Sequence, residues 1–145
     1  MKRVAVVTRP IDPALLVAEV QGNEFGAISV FVGTVRQNHE GRAVTSLDYS
    51  AYTAMAESEM SRILDEAESR FDVTAMAVEH RTGPLALGDI SIAIATAHMH
   101  RQPAIECTSF VIEEIKKRAP IWKLEHYADG SREWVDPTTV RETIT

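Results

Sequence analysis

Pro120 fixes the reading of everything just before it. Ala104, Cys107, Thr108, Val111, Ile115 and Ala119 recur every three or four residues, which predicts one apolar stripe on a helix that begins near Pro103. A proline is acceptable in a first helical turn. Pro120 disfavours helical geometry at Ala119 and brings no N–H of its own, so the helix ends there and the chain runs on extended through Ile121 and Trp122. A helix that must bury such a stripe between two extended runs calls for a layered α+β core.

The remaining chain supplies the other layers. Val4 to Val7 reads as a strand, and Asp12-Pro13 as the N-cap and first-turn proline of a helix through about Gln21, closed by Gly22. Gly26 to Val35 is apolar on both faces and is expected as a central strand, with Val44 to Tyr52 paired to it. Between them, Arg36 to Ala43 lacks any period and reads as a mobile loop. Thr53 is the expected cap of a second helix with the stripe Ala56, Met60, Ile63, Leu64, Ala67 and Phe71; its acidic outer face reads as solvated. Val73 to Thr82 and Ile90 to Ala97 are strands joined by a glycine-bounded turn. Ile90, Ile92 and Ile94 alternate with Ser91, Ala93 and Ala95, so a helix can approach the small face closely. Trp122 to Tyr127 and Arg132 to Val135 read as a hairpin, and the polar segment from Asp136 as loosely held. The order β-α-β-β-α-β-β-α-β-β predicts one α+β domain over residues 1–145 with a mixed, largely antiparallel sheet.

Charge limits the partners. A net charge of −6 gives no broad footprint for nucleic acid or an acidic membrane, and no stretch approaches the apolar length of a spanning helix. The start of the chain has too short an apolar run for a secretory signal, and Cys107 is the only cysteine, on the apolar stripe, so no disulfide framework exists. A soluble protein of a reducing cytoplasm is expected. Yet seven of the fifteen basic residues, Arg36, Arg42, Arg101, Lys116, Lys117, Arg118 and Lys123, fall in two segments. That concentration suits a compact anion such as a phosphate ester.

Within the cluster, Lys117 and Arg118 are readily explained as complements to the negative pole of the helix. Lys116 and Lys123 bracket the proline break beside Ile121 and Trp122, where apolar surface and like charge lower a lysine's pKa towards catalytic usefulness, and a solvated position is the alternative. His100 and Arg101 precede a helix N-terminus, whose N–H groups attract anions, and Arg101 can add a bidentate fork. His98 and His100 could contribute to a metal site and a hydrolase, but no HExxH, CxxC or HxxxH accompanies them, and no metal or other cofactor is expected; a non-catalytic subunit that only binds the phosphate compound is the other alternative. Walker, GxGxxG and GxSxG motifs are absent too. Arg36 and Arg42 flank the glycine-containing loop, a usual place for binding residues.

The segments FVGTVRQNHEG, HRTGPLALGD, AHMHR, KKRAPIWKLE and DGSREWV, in this order and spacing, resemble the large, catalytic subunit family of molybdopterin synthase. The resemblance implies an α/β hammerhead fold with an additional small antiparallel sheet. It implies a homodimer of large subunits carrying a small ubiquitin-like subunit at each end, a heterotetramer overall. The implied sulfurtransferase reaction adds two sulfurs, from the thiocarboxylated C-terminal Gly-Gly of the small subunit, to cyclic pyranopterin monophosphate, giving the dithiolene of molybdopterin. By match, Lys116 and Lys123 would be catalytic, and Arg36, His100 and Arg101 would bind substrate, with backbone at Thr34, Val35, Leu124 and Glu125 nearby. Arg132 is a further candidate, one residue removed from the family's place before Trp134.

A helix over residues 103–119 puts His100 and Arg101 roughly 20 Å from Lys116. One small pterin phosphate cannot touch both ends. A two-fold dimer that sets the helix start of one copy against the helix end of the other would reconcile them.

Overall fold

The structure is a computed structural model that describes residues 1–135; the reading of the segment from Asp136 lies outside the described residues. The elements are β1 (Lys2–Val7), α1 (Pro13–Val20), β2 (Ala27–Thr34), β3 (Asn38–His39), β4 (Arg42–Ala51), α2 (Thr53–Phe71), β5 (Ala75–Arg81), β6 (Gly83–Ala86), β7 (Ile90–His98), α3 (Arg101–Arg118), β8 (Ile121–Tyr127) and β9 (Arg132–Val135). They build two sheets. The first is mixed, in the order β1-β5-β7-β2, with β1 parallel to β5 and the other pairs antiparallel. The second is antiparallel, in the order β3-β4-β8-β9, with β6 also paired to β4.

The two faces of β7 sort the helices. Ile92 and Ile94 join the core beneath α2 and α3, whereas Ala93, Ala95 and Ala97 meet Leu16 and Val20 of α1. The predicted small face is thus the one that α1 covers. Every residue of the α3 stripe is buried. Its one hydroxyl is satisfied: Thr108 Oγ1 donates to the Ala104 carbonyl at 3.1 Å and lies 2.8 Å from Thr96 Oγ1.

Six expectations change. The strand Ala27–Thr34 is an edge strand, since among the described residues only β7 pairs with it in the sheet. Its second apolar face, Ile28, Val30 and Val32, is 37–42% exposed, so two apolar faces here mark an uncovered surface rather than a central position. Val44 to Tyr52 does not pair with β2, because residues 38–43 turn back on themselves first. Glu40 (φ 50°) and Gly41 (φ 78°) both lie in the left-handed region, the two-residue turn that matches strand twist, and they make β3 and β4 a hairpin of the second sheet. The expected mobile loop is therefore largely this hairpin. The glycine-bounded turn contains β6. Helix α2 is capped at Tyr52 rather than Thr53, with Tyr52 N–H tied to the Pro120 carbonyl at 3.3 Å. Finally, the acidic face of α2 is a docking face: Arg118 donates to Glu59 and Glu66 at 2.7–2.9 Å, and Lys2 pairs with Asp65 and Glu68.

Candidate active site

The end of α3 and the start of β8 meet β2 and β4 at a cavity of about 140 Å³ that continues into a second lobe. Lys116 enters from the last turn of α3. The Pro120 break turns the chain so that Lys123, two residues into β8, enters from the second sheet. Arg36 reaches in from just beyond β2, where the register shifts between Gly33 and Thr34, and a bulge of this kind re-aims the residues that follow. A Cβ on Gly33 would meet Ile92 Cγ2 at 2.8 Å, so glycine allows the strands this close approach. Among the described residues, three cationic side chains thus share the cavity with one carboxylate, Glu125.

Beneath the cations lies a group of polar side chains of which the sequence reading named only Glu125, and that one for its backbone. Glu125 is only 2% exposed. Its Oε1 accepts from Tyr127 Oη at 2.8 Å and lies 2.7 Å from His39 Nδ1, while Oε2 is 3.3 Å from Lys123 Nζ. Burial pushes this carboxyl up, but the Lys123 charge and the bonds from Tyr127 and His39 prevail and hold it below the usual carboxylate range. Burial and the same carboxylate push the Tyr127 phenol up to about 12, so it stays a donor. His80 and Tyr49 form the inner wall, ring centroids 4.9 Å apart. Burial pushes the His80 imidazole down to about 4 against the bond to the Arg81 carbonyl, with the Lys116 charge acting in the same direction as burial. At neutral pH His80 is uncharged. Its Nδ1 lies 3.0 Å from that carbonyl, which only accepts, so Nδ1 carries the proton and Nε2 the lone pair.

Of the expected site residues, Thr34, Val35, Arg36, Lys116, Lys123 and Glu125 line the two lobes. Val35 cannot offer its N–H to a ligand, because that group donates to the Asp89 carbonyl at 3.0 Å. Leu124 points to the opposite face of β8 by strand alternation, and Arg132 is exposed on β9; neither lines the cavity. His100 and Arg101 stand exposed at the other end of α3, about 22 Å away at 1.5 Å per residue. Arg42 is no cavity residue: its guanidinium lies over the Tyr127 ring, 3.5 Å from the centroid, and bonds Glu133. His98 Nδ1 accepts the His100 N–H, and among the described residues no three His, Cys, Asp or Glu side chains gather to hold a metal ion. The hydrolase reading loses its donor set.

A mixed sheet, a second curled antiparallel sheet and a cavity lined by Arg36, Lys116 and Lys123 at their junction define an α+β protein with a basic site. Residues 6–118 match the MoaE protein family. The chain is 41% identical over 138 residues to the molybdopterin synthase catalytic subunit of Oryza sativa subsp. indica, covering 92% of this chain and 72% of that one. It is 37% identical over 134 residues to the catalytic subunit of Halalkalibacterium halodurans, covering 92% and 85%. The crystal structure of molybdopterin synthase from Staphylococcus aureus matches with a TM-score of 0.86 at 34% identity, over 90% of this chain and 95% of that one. The chain belongs to the MoaE family, and with it to the enzymes of molybdenum cofactor biosynthesis.

Proposed function

We propose that this chain, a single domain over residues 1–145, is the sulfur-transferring catalytic subunit of a molybdopterin synthase acting in the cytoplasm. Its substrate is cyclic pyranopterin monophosphate, and its sulfur donor is a small ubiquitin-like subunit with a thiocarboxylated C-terminal Gly-Gly. Two such donors deliver the two dithiolene sulfurs; water cleaves each acyl–sulfur bond, and each donor leaves as a carboxylate. The observation that carries this reading is the convergence of Arg36, Lys116 and Lys123 on one cavity in a chain of net charge −6. The cations hold the phosphate and stabilise negative charge as it develops on oxygen, which is where fixed charges in a partly dry site act most strongly. The sulfur has to come from outside. Cys107 is fully buried, its thiol is pushed up to about 12 by burial, and its Sγ contacts Met76 Sδ at 3.6 Å.

His100 and Arg101 serve the same substrate from a second copy of the chain. Strand β2 starts opposite His98 and ends at Thr34 on the cavity rim, and it carries the exposed Ile28, Val30 and Val32 along an outer edge of its sheet. Antiparallel association of two copies along β2 sets the His100 end of one beside the cavity of the other. That two-fold arrangement covers the apolar face and gives a homodimer, and a heterotetramer with two small subunits. Incubating the purified chain with the pterin precursor and the thiocarboxylated small subunit, with and without a chelator, tests the reading. Dithiolene formation unaffected by chelator supports it; no product, or product lost to the chelator, counts against it.

A further inference from the structure

We infer that Tyr127 and His39 are positioning residues for sulfur transfer, acting through Glu125 to aim the Lys123 ammonium into the cavity; this rests on the function proposed above. Lys123, Glu125 and Tyr127 alternate along one face of β8, and His39 arrives from the β3–β4 hairpin. A carboxylate buried to 2% exposure needs its lone pairs satisfied from within. Here the two donors, at 2.7 and 2.8 Å, both meet Oε1 and fix the carboxyl plane. Oε2 is left turned to Lys123 Nζ at 3.3 Å. Because an ionised carboxylate only accepts, His39 carries a proton on Nδ1.

The second sheet holds this arrangement from outside. The Arg42 guanidinium, bonded to Glu133 and Ser131, lies over the Tyr127 ring and pins the phenol that reaches Glu125. Tyr127 does not line the cavity, so it has no route to the reaction except through Glu125. Without its two donors the carboxyl can rotate or take up a proton, and Lys123 then loses the anchor that separates it from ordinary mobile lysines.

The test compares Tyr127→Phe, His39→Leu and His39→Asn, the last keeping an N–H donor where Nδ1 stands, with wild type and Lys123→Ala in the reconstituted dithiolene assay. Each rate is taken per folded protein, as judged by circular dichroism. The expected result is a kcat lowered about tenfold in Tyr127→Phe and His39→Leu, with KM for the precursor within about twofold of wild type. His39→Asn should regain most of the loss, which a purely structural role for the ring would not allow. Wild-type kcat in folded Tyr127→Phe and His39→Leu, or no recovery in His39→Asn, would overturn the inference while leaving the proposed function intact. No turnover by wild type would overturn both.

Discussion

Lys123 Nζ stands 3.3 Å from Oε2 of Glu125, two residues along the same face of β8, and the carboxylate is almost wholly buried. A cation in that position also supports the fold. Removing it in Lys123→Ala leaves a buried charge short of a partner, at a cost of about 1–3 kcal/mol in unfolding free energy. Neutralising the acid as well, in Lys123→Ala/Glu125→Gln, should restore part of that stability but none of the activity. Denaturant melts of the two single variants and the double variant check this, since contacting residues give a non-additive cycle. Strict additivity would contradict the pairing.

The buried His80 gives stability a specific pH dependence. Its folded pKa of about 4 lies below the ordinary 6.5, so the unfolded chain binds the proton more readily. The stability that the neutral imidazole represents is complete above pH 6.5 and is lost as pH falls through that value towards 4. Over that window the loss is on the order of 3 kcal/mol. Urea midpoints for wild type and His80→Gln should converge as pH drops through the window, because glutamine takes up no proton there. Parallel curves would mean that His80 titrates in its ordinary range.

Sequence periodicity carried the helices and one face of the cavity. The α3 stripe was legible because six positions at helical spacing end at a proline, and this same break delivers Lys116 and Lys123 to one place. The edge position of β2 was not legible, since two apolar faces describe a central strand and an uncovered one equally well. The Glu40-Gly41 turn did carry a signal, a glycine within a short polar run, but its register follows only from two positive φ angles. The web around Glu125 was half visible: Lys123, Glu125 and Tyr127 alternate as a strand face should. His39 lies 86 residues away, and no local pattern announces a pairing over that distance.

Cys107 should be dispensable for chemistry. Its side chain faces the core between α3 and the first sheet, with its thiol pushed up to about 12, so native protein should react with thiol reagents only on unfolding. Cys107→Ala should keep near wild-type turnover and lose about 1 kcal/mol of stability. A folded but inactive Cys107→Ala would place a sulfur relay in this chain.

The separation of Arg101 from Lys116 along α3 predicts complementation between copies. Arg101→Ala and Lys116→Ala proteins should each be nearly inactive. After subunit exchange about half the dimers are mixed, and each mixed dimer owns one intact site, so activity should recover to roughly a quarter of wild type. Confirmed exchange without recovery would assign both groups to one chain.

The proposed function assigns sulfur transfer to the cavity cations and not to basic charge at the helix end in general. Lys116 and Lys123 line the cavity, whereas Lys117, one residue along α3, pairs with Glu114 at 3.5 Å on the solvent side. The most direct measurement is the single-turnover rate of dithiolene formation for Lys116→Ala, Lys117→Ala and Lys123→Ala, with saturating precursor and thiocarboxylated small subunit. Losses of about a hundredfold or more are expected for Lys116→Ala and Lys123→Ala, and less than about threefold for Lys117→Ala. Near-normal rates for folded Lys116→Ala and Lys123→Ala would contradict that assignment.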